Sequence, residues 1–204
     1  MVGAPDVGNF LYVCGQWAQA LSHYLGGQSG NTLLDIGCGC GRPARALLND
    51  PRVTAYLSLD ADPTLVHWCN AWLRPASGWR FLAGWLDVYS EAYHQGGTTP
   101  AEQAVFPAPA QSASLIFAAS LFTHLAPAAS ARYLPQARRC AIDGAMLLLS
   151  IHIAPAPAAD FSGNSDRADY TPAHFVALTR AAGWALRARP GDLCGQELPV
   201  FAAV

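Results

Sequence analysis

A short apolar strand that runs into a glycine-rich turn is the feature that most restricts how this chain can fold. The strand, residues 32–36, carries the acid Asp35 near its end, and a helix opens after the turn at Pro43. A second apolar strand, residues 53–59, ends at another acid, Asp60. This order of strand, turn, helix and strand predicts a βαβ unit that holds a nucleoside-bearing cofactor. The glycines alternate through the turn, at Gly37, Gly39 and Gly41.

The spacing of these glycines distinguishes among cofactors. A dinucleotide fingerprint requires a third glycine where this chain has Arg42. The acid Asp35, directly before the turn, suits a cofactor that carries positive charge better than it suits a pyrophosphate. S-adenosylmethionine, with a sulfonium and an amino group, is such a cofactor. Asp60 is placed to accept two hydrogen bonds from its ribose, and the alternative for Asp60 is an N-cap of the helix that starts at Pro63.

Four further segments extend the pattern, and with them the chain resembles the class I S-adenosylmethionine-dependent methyltransferases. Each segment alone is a weak signal, but the resemblance covers nearly the whole chain in order. The segments similar to the motifs of that family are residues 33–41, 57–63, 114–125, 143–150 and 195–201.

Segments of strand and helix character alternate along the chain, with the third strand expected at 79–83 and the fifth at 145–153. This alternation predicts an α/β protein with a doubly wound, mostly parallel sheet. The resemblance implies seven strands in the order 3-2-1-4-5-7-6, with the last strand antiparallel. The close spacing of the final two strands, at 184–189 and 197–203, is consistent with a hairpin. We interpret residues 1–204 as a single domain, with an N-terminal helical segment at 1–30 and an irregular insertion at 88–112.

The resemblance also implies where the cofactor binds. One position departs from the family, because Trp85 stands where an acid normally contacts the adenine amino group. We expect Asp87 to make that contact from two residues later; the alternative is the backbone of Leu86 with packing by Trp85. The predicted cofactor-binding residues are Asp35, Gly37, Cys38, Gly39, Asp60, Ala61, Leu86, Asp87 and Ser120.

Two histidines follow strands whose ends should lie at the cofactor crevice. Methyl transfer chiefly requires alignment of acceptor and methyl group, and a base helps when the acceptor is a hydroxyl. His124 follows the fourth strand and His152 closes the fifth, so both are candidate catalytic residues, with structural roles in a loop or the core as alternatives. The irregular stretch 154–171 leaves the same edge, so Asp160 and Tyr170 are candidate substrate-binding residues.

Composition excludes several other classes of function. The net charge is −2 and no basic run occurs, which argues against nucleic acid as a partner. The chain contains no lysine, so a P-loop lysine and lysine Schiff-base chemistry are excluded. The C-x-C spacing of Cys38 and Cys40 does not match a zinc site, and we expect no metal. We expect no membrane-spanning segment and a cytoplasmic location, since no signal peptide or sufficiently long apolar run is present.

These observations predict an S-adenosylmethionine-dependent methyltransferase that modifies a small-molecule or glycan acceptor at a hydroxyl group. A non-catalytic S-adenosylmethionine-binding subunit or sensor with the same fold is the alternative. A nicotinamide-dependent oxidoreductase is a third interpretation, which Arg42 disfavours.

Overall fold

The computed structural model describes residues 6–154, 159–164 and 166–204. The first five residues of the predicted N-terminal segment, and residues 155–158 and 165 of the stretch after the fifth strand, lie outside these ranges. A 3-10 turn covers Ala101–Gln103. The helices of the described residues are α1 Val7–Leu25, α2 Arg42–Leu47, α3 Pro63–Ala76, α4 Pro127–Cys140 and α5 Pro172–Ala181. The strands are β1 Asn31–Ile36, β2 Val53–Asp60, β3 Phe81–Trp85, β4 Ala113–Ala118, β5 Ala141–Leu149, β6 His152–Ile153, β7 Phe161–Gly163, β8 Ala168–Tyr170, β9 Trp184–Ala188, β10 Asp192–Leu193, β11 Gln196–Glu197 and β12 Val200–Ala203.

The main sheet has seven strands in the order β3-β2-β1-β4-β5-β12-β9. Strands β1 to β5 pair in parallel, whereas β12 pairs antiparallel with both β5 and β9. The predicted order and the antiparallel last strand are therefore confirmed. The chain leaves β1 towards β2 on one side, and β4 lies on the other, so a crevice opens at the carboxyl ends of β1 and β4.

Residues of each central strand alternate between two cores, one on each face of the sheet. In β1, Leu34 and Ile36 join a core that includes Leu134 of α4 and Phe175 of α5. Leu33 points to the opposite face, where the core is formed with α1, α2 and α3. Parallel sheets are covered on both faces, which explains why the central strands are almost continuously apolar. Asp35, between Leu34 and Ile36, is fully buried all the same.

The predicted boundaries of two strands were wrong. Strand three was expected at 79–83, but Gly78 and Trp79 adopt positive φ and form a turn, so the strand runs from Phe81 to Trp85. The fifth strand was expected at 145–153 but spans Ala141–Leu149. His152 belongs instead to β6, which pairs with β8 in a separate small sheet.

The outermost strand, β3, has part of its free edge covered by side chains from α3 and the residue that follows it. The amide of Asn70 donates to the carbonyl of Ala83 (2.8 Å) and accepts from its N–H (3.0 Å). The hydroxyl of Ser77 accepts from the N–H of Phe81 at 3.0 Å. Side chains thus satisfy three backbone groups that another strand would otherwise bond.

Candidate active site

The glycine turn is tied to the end of β2 by backbone hydrogen bonds. The N–H groups of Gly37 and Cys38 both donate to the carbonyl of Leu59, at 2.8 and 3.0 Å. The three glycines of the turn have φ values of 77°, 54° and 72°, a region that side chains disfavour. At Gly41 a Cβ would also collide with a methyl group of Leu73 on α3. The turn sequence is therefore dictated both by backbone conformation and by close packing of α3.

Asp60 ends β2 directly beneath this turn. One carboxylate oxygen accepts the N–H of Gly39 at 2.6 Å, and the other accepts the N–H of Asp62 at 2.9 Å. Burial raises the pKa of Asp60 above its ordinary value. Each oxygen retains a further lone pair, which leaves acceptor capacity for two ribose hydroxyls. The alternative N-cap role is wrong, because the cap of α3 is Asp62, which accepts from Thr64 at 2.8 Å.

Asp35 lies below the turn rather than in it. One oxygen accepts the hydroxyl of Tyr56 at 2.9 Å, and the other is buried without a hydrogen-bond partner. Burial raises the pKa of Asp35 to about 8, since the charged form is poorly solvated there. Asp35 is not among the residues that line the adjacent cavity. The cofactor-binding role of Asp35 stays a prediction.

A cavity of 540 Å³ opens at the carboxyl ends of β1, β2 and β4. Its volume lies within the range of small-molecule sites. The insertion 88–112, which was predicted to be irregular, contributes one wall through residues 88–91, Tyr93 and Glu102. The predicted site residues that line the cavity are Gly37, Cys38, Gly39, Asp60, Ala61, Leu86, Ser120 and His124.

Comparison with models of protein families found no match. Among solved structures, the fold is similar to a 1,6-didemethyltoxoflavin-N1-methyltransferase of Burkholderia thailandensis with bound S-adenosylhomocysteine (TM-score 0.66, 18% identity, 97% of this chain and 80% of that chain). It is also similar to a TehB-like SAM-dependent methyltransferase of Corynebacterium glutamicum (0.64, 15%, 93% and 88%). A third similar structure is the [4+2]-cyclase SpnF (0.63, 16%, 84%), of which this chain spans only 58%.

The chain has the class I methyltransferase fold. The expectation from the glycine turn and the later segments is therefore confirmed at the level of fold.

Within this methyltransferase fold, His124 is the predicted catalytic histidine that reaches the cavity. It lies in the segment after β4, where its N–H donates to the carbonyl of Leu121 at 2.9 Å. Its Nε2 lies 3.3 Å from the hydroxyl of Tyr93, while its Nδ1 is buried and has no partner among the described residues. The nearby Ser120 has a positive φ of 59°. Its N–H donates to the hydroxyl of Ser150 at 2.7 Å, and its carbonyl accepts the hydroxyl of Thr123 at 2.9 Å.

His152 is not among the residues that line the cavity, and its catalytic role stays a prediction. Strand β5 ends at Leu149, three residues earlier than expected for a strand closed by His152. His152 lies in β6, where it pairs with Asp169 of β8. Burial and then the positive charge of Arg167 lower the pKa of His152.

The two predicted substrate-binding residues also lie outside the cavity lining. Tyr170 is fully buried, and its hydroxyl bonds Ser130 of α4 at 2.9 Å and donates to the carbonyl of Leu125. Asp160 accepts the N–H of Thr171 with its backbone carbonyl at 3.0 Å and lies 4.0 Å from His174. Both residues anchor the segment that precedes α5.

The adenine contact of Asp87 also stays a prediction. Its carboxylate accepts both the N–H and the hydroxyl of Thr98, at 3.0 and 2.5 Å, and it does not line the cavity. Trp85, at the departing position, donates its indole N–H to the carbonyl of Ala61 at 3.0 Å. Leu86 is buried and lines the cavity, and its backbone N–H donates to the carbonyl of Asp60 at 2.9 Å.

Several cavity residues were missed by sequence reasoning, because no periodic pattern marks the insertion that carries many of them. Tyrosines and acids in a glycine-flanked segment are the only signal that would have indicated them. The missed residues with polar side chains include Arg42, Asp62, Glu91, Tyr93, Glu102 and Gln196.

Across the described residues, no group of three or more metal-ligating side chains occurs, and none of the helices has the length and apolar character needed to span a membrane.

Proposed function

We propose that this protein is an S-adenosylmethionine-dependent methyltransferase that acts on a hydroxyl group of a small-molecule or glycan acceptor. The observation that carries the proposal is the Asp60 carboxylate, held by the N–H groups of Gly39 and Asp62 at the mouth of a 540 Å³ cavity. This arrangement lies at the switch point of the sheet, where open α/β folds bind their ligands.

The charge of the cavity wall supports the choice of cofactor. Its described lining includes four acids, Asp60, Asp62, Glu91 and Glu102, and a single arginine, Arg42. This balance favours a ligand with a sulfonium and an ammonium group over a pyrophosphate. When bound, S-adenosylmethionine would supply the methyl group together with its own leaving group.

The cofactor-binding roles that we propose follow the geometry of the turn. The backbone of Gly37, Cys38 and Gly39 allows close approach of the ligand, and Asp60 accepts the ribose hydroxyls. Ala61 and Leu86 are apolar wall residues beyond β2 and β3, suited to pack on the adenine. The hydroxyl of Ser120 is held by Gln196 at 3.0 Å beside the turn.

His124 is the residue that we propose as base for the acceptor hydroxyl. It is in the cavity wall, and its Nε2 already faces a hydroxyl, that of Tyr93. A general base must come within hydrogen-bond reach of the proton it removes. The same acidic wall disfavours acceptors that carry phosphate. A structural neighbour with this fold acts on the small molecule 1,6-didemethyltoxoflavin.

Calorimetric titration with S-adenosylhomocysteine tests the proposal. We expect micromolar binding by the unchanged protein and binding about 100-fold weaker in Asp60→Ala. Asp160→Asn is the matched control, because Asp160 lies outside the cavity and should bind normally. Tighter binding of a nicotinamide dinucleotide than of S-adenosylhomocysteine would refute the proposal.

A second function, cofactor binding without methyl transfer, is favoured by one observation: the same fold occurs in a [4+2]-cyclase. Binding and turnover must therefore be assayed separately. Transfer of a radiolabelled methyl group to a panel of phenols and sugars, abolished in His124→Ala, would support the enzyme. Retained binding without transfer to any acceptor would favour the second function.

A further inference from the structure

The segment that forms one wall of the cavity is closed at its base by a side-chain clamp. Asp87 lies two residues after the end of β3 and holds Thr98 through two hydrogen bonds, to the N–H at 3.0 Å and to the hydroxyl at 2.5 Å. Beside this clamp, the N–H of Tyr89 donates to the carbonyl of Thr99 at 2.8 Å. We call residues 87–99 the clamped loop.

The interior of the clamped loop is also tightly folded. Ser90 and His94 exchange two backbone hydrogen bonds, at 3.0 and 2.9 Å. Gly97 lies against the backbone of Val88 so closely that a Cβ there would overlap the Val88 carbonyl. These contacts place Tyr93 in the turn that Ser90 and His94 close. The position of Tyr93 therefore depends on the clamp at the base of the loop.

Tyr93 reaches from the clamped loop to His124. Its hydroxyl lies 3.3 Å from Nε2, and the two rings meet edge to face with centroids 5.5 Å apart. Both side chains line the cavity. The other ring nitrogen, Nδ1, is buried and has no partner among the described residues. Proton exchange between His124 and the cavity therefore runs through Nε2, beside the Tyr93 hydroxyl.

We propose that the proton of the methyl acceptor reaches His124 through Tyr93, and that Asp87 and Thr98 are positioning residues that hold Tyr93 for this relay. The inference rests on the proposed function. The acceptor hydroxyl gives its proton to Tyr93 Oη, while Tyr93 passes its own proton to Nε2. Tyr93 remains neutral, His124 becomes imidazolium, and the electron pair of the broken O–H bond stays on the acceptor oxygen, which receives the methyl group.

The charged groups around the pair agree with this direction of transfer. The pKa of Tyr93 is raised by burial and by the negative charges of Asp166 and Asp60, so it stays protonated between transfers. Glu91 of the clamped loop also lines the cavity, and His152 interacts electrostatically with His124 from β6. The negative charges around Tyr93 thus disfavour an anion on Tyr93.

The relay requires an unprotonated Nε2 in neutral His124, which ¹⁵N NMR of the ring nitrogens measures without any cofactor. We expect Nε2 unprotonated in the unchanged protein and a shift of about tenfold in the tautomer ratio towards Nε2–H in Tyr93→Phe, since one hydrogen bond is lost. Asp87→Ala and Thr98→Val should shift the ratio in the same direction. Thr98→Ser, which keeps the hydroxyl, should retain the original ratio.

Several outcomes overturn the inference. A protonated Nε2 in the unchanged protein, or no effect of Tyr93→Phe, rejects the relay. An effect of Tyr93→Phe without one of Asp87→Ala or Thr98→Val rejects the clamp. Circular dichroism and binding of S-adenosylhomocysteine show whether each variant is folded. Failure of the unchanged protein to bind S-adenosylhomocysteine would refute the proposed function alone, because the tautomer ratio is measured independently.

Discussion

The two sides of the cavity are built by different means. On the side that we propose for the cofactor, termed the cofactor side, backbone groups make most of the contacts: the N–H groups of Gly37, Cys38 and Gly39 bond Leu59 and Asp60. On the side that we propose for the acceptor, termed the acceptor side, side chains from distant parts of the chain meet, as Tyr93 and His124 do. Backbone architecture demands particular residue types at fixed spacing, whereas side-chain contacts can be made by many sequences. The first kind of site can therefore be predicted from a sequence, whereas the second cannot.

The pH dependence of stability should show how strongly the cofactor side depends on one buried acid. The pKa of Asp35 is about 8 in the folded protein and 3.8 for an ordinary aspartate. The folded state therefore binds more protons than the unfolded state between about pH 4 and pH 8, and stability falls as pH rises through this window. At about 1.4 kcal/mol per pKa unit, the loss is on the order of 5 kcal/mol.

Urea unfolding from pH 4 to pH 9 measures this loss. Asp35→Asn keeps an acceptor for Tyr56 but cannot ionise, so its stability should vary much less across the window. Equal pH dependence in both proteins would contradict the assignment to Asp35.

Replacing a glycine of the turn should have the next largest effect on the free energy of unfolding. Gly41→Ala forces a side chain into a φ of 72° and into the space of a Leu73 methyl group. We expect a loss of about 3 kcal/mol in the free energy of unfolding, from backbone strain and overpacking together. Gly27→Ala is the matched control, because nothing lies within 4 Å of its Cβ position. Equal unfolding midpoints in urea would show that the turn tolerates side chains.

Asp60→Ala should weaken binding of S-adenosylhomocysteine by about 100-fold, because hydrogen bonds to a charged group contribute about 1.5–3 kcal/mol each. Isothermal titration calorimetry measures the change. Asp60→Asn retains one acceptor oxygen, so its affinity should lie between those of the unchanged protein and Asp60→Ala. Unchanged affinity in Asp60→Ala would show that cofactor binding does not depend on this carboxylate, which would contradict the contrast between the two sides of the cavity.

The smallest effect is expected at His152 on the acceptor side. His152→Ala should change the rate of methyl transfer less than twofold, because His152 lies outside the cavity lining. His124→Ala should abolish methyl transfer, because His124 lines the cavity. Activity assays under identical conditions compare the two. Comparable losses would mean that the β6–β8 sheet takes part in catalysis.

Sequence reasoning located the sheet order, the glycine turn and Asp60, because strand periodicity and positive-φ glycines leave few alternatives. It misplaced the end of the fifth strand, and with it the position of His152, because the apolar run continues to Ile153 whereas the strand ends at Leu149. A shift of two residues in β3, caused by the turn at Gly78 and Trp79, changed which residues follow the strand. Tyr93 was missed altogether, since its contact with His124 joins two residues that are 31 positions apart in the sequence.

The covered edge of β3 has a consequence for the behaviour of the protein in solution. Exposed Trp79, Leu82 and Trp85 lie in or beside this strand, and an open strand edge next to apolar side chains is a template for aggregation. Because the amide of Asn70 bonds both polar groups of Ala83, another chain cannot pair there without displacing it. A single amide on α3 therefore helps to keep an aromatic-rich surface from recruiting further copies of the chain.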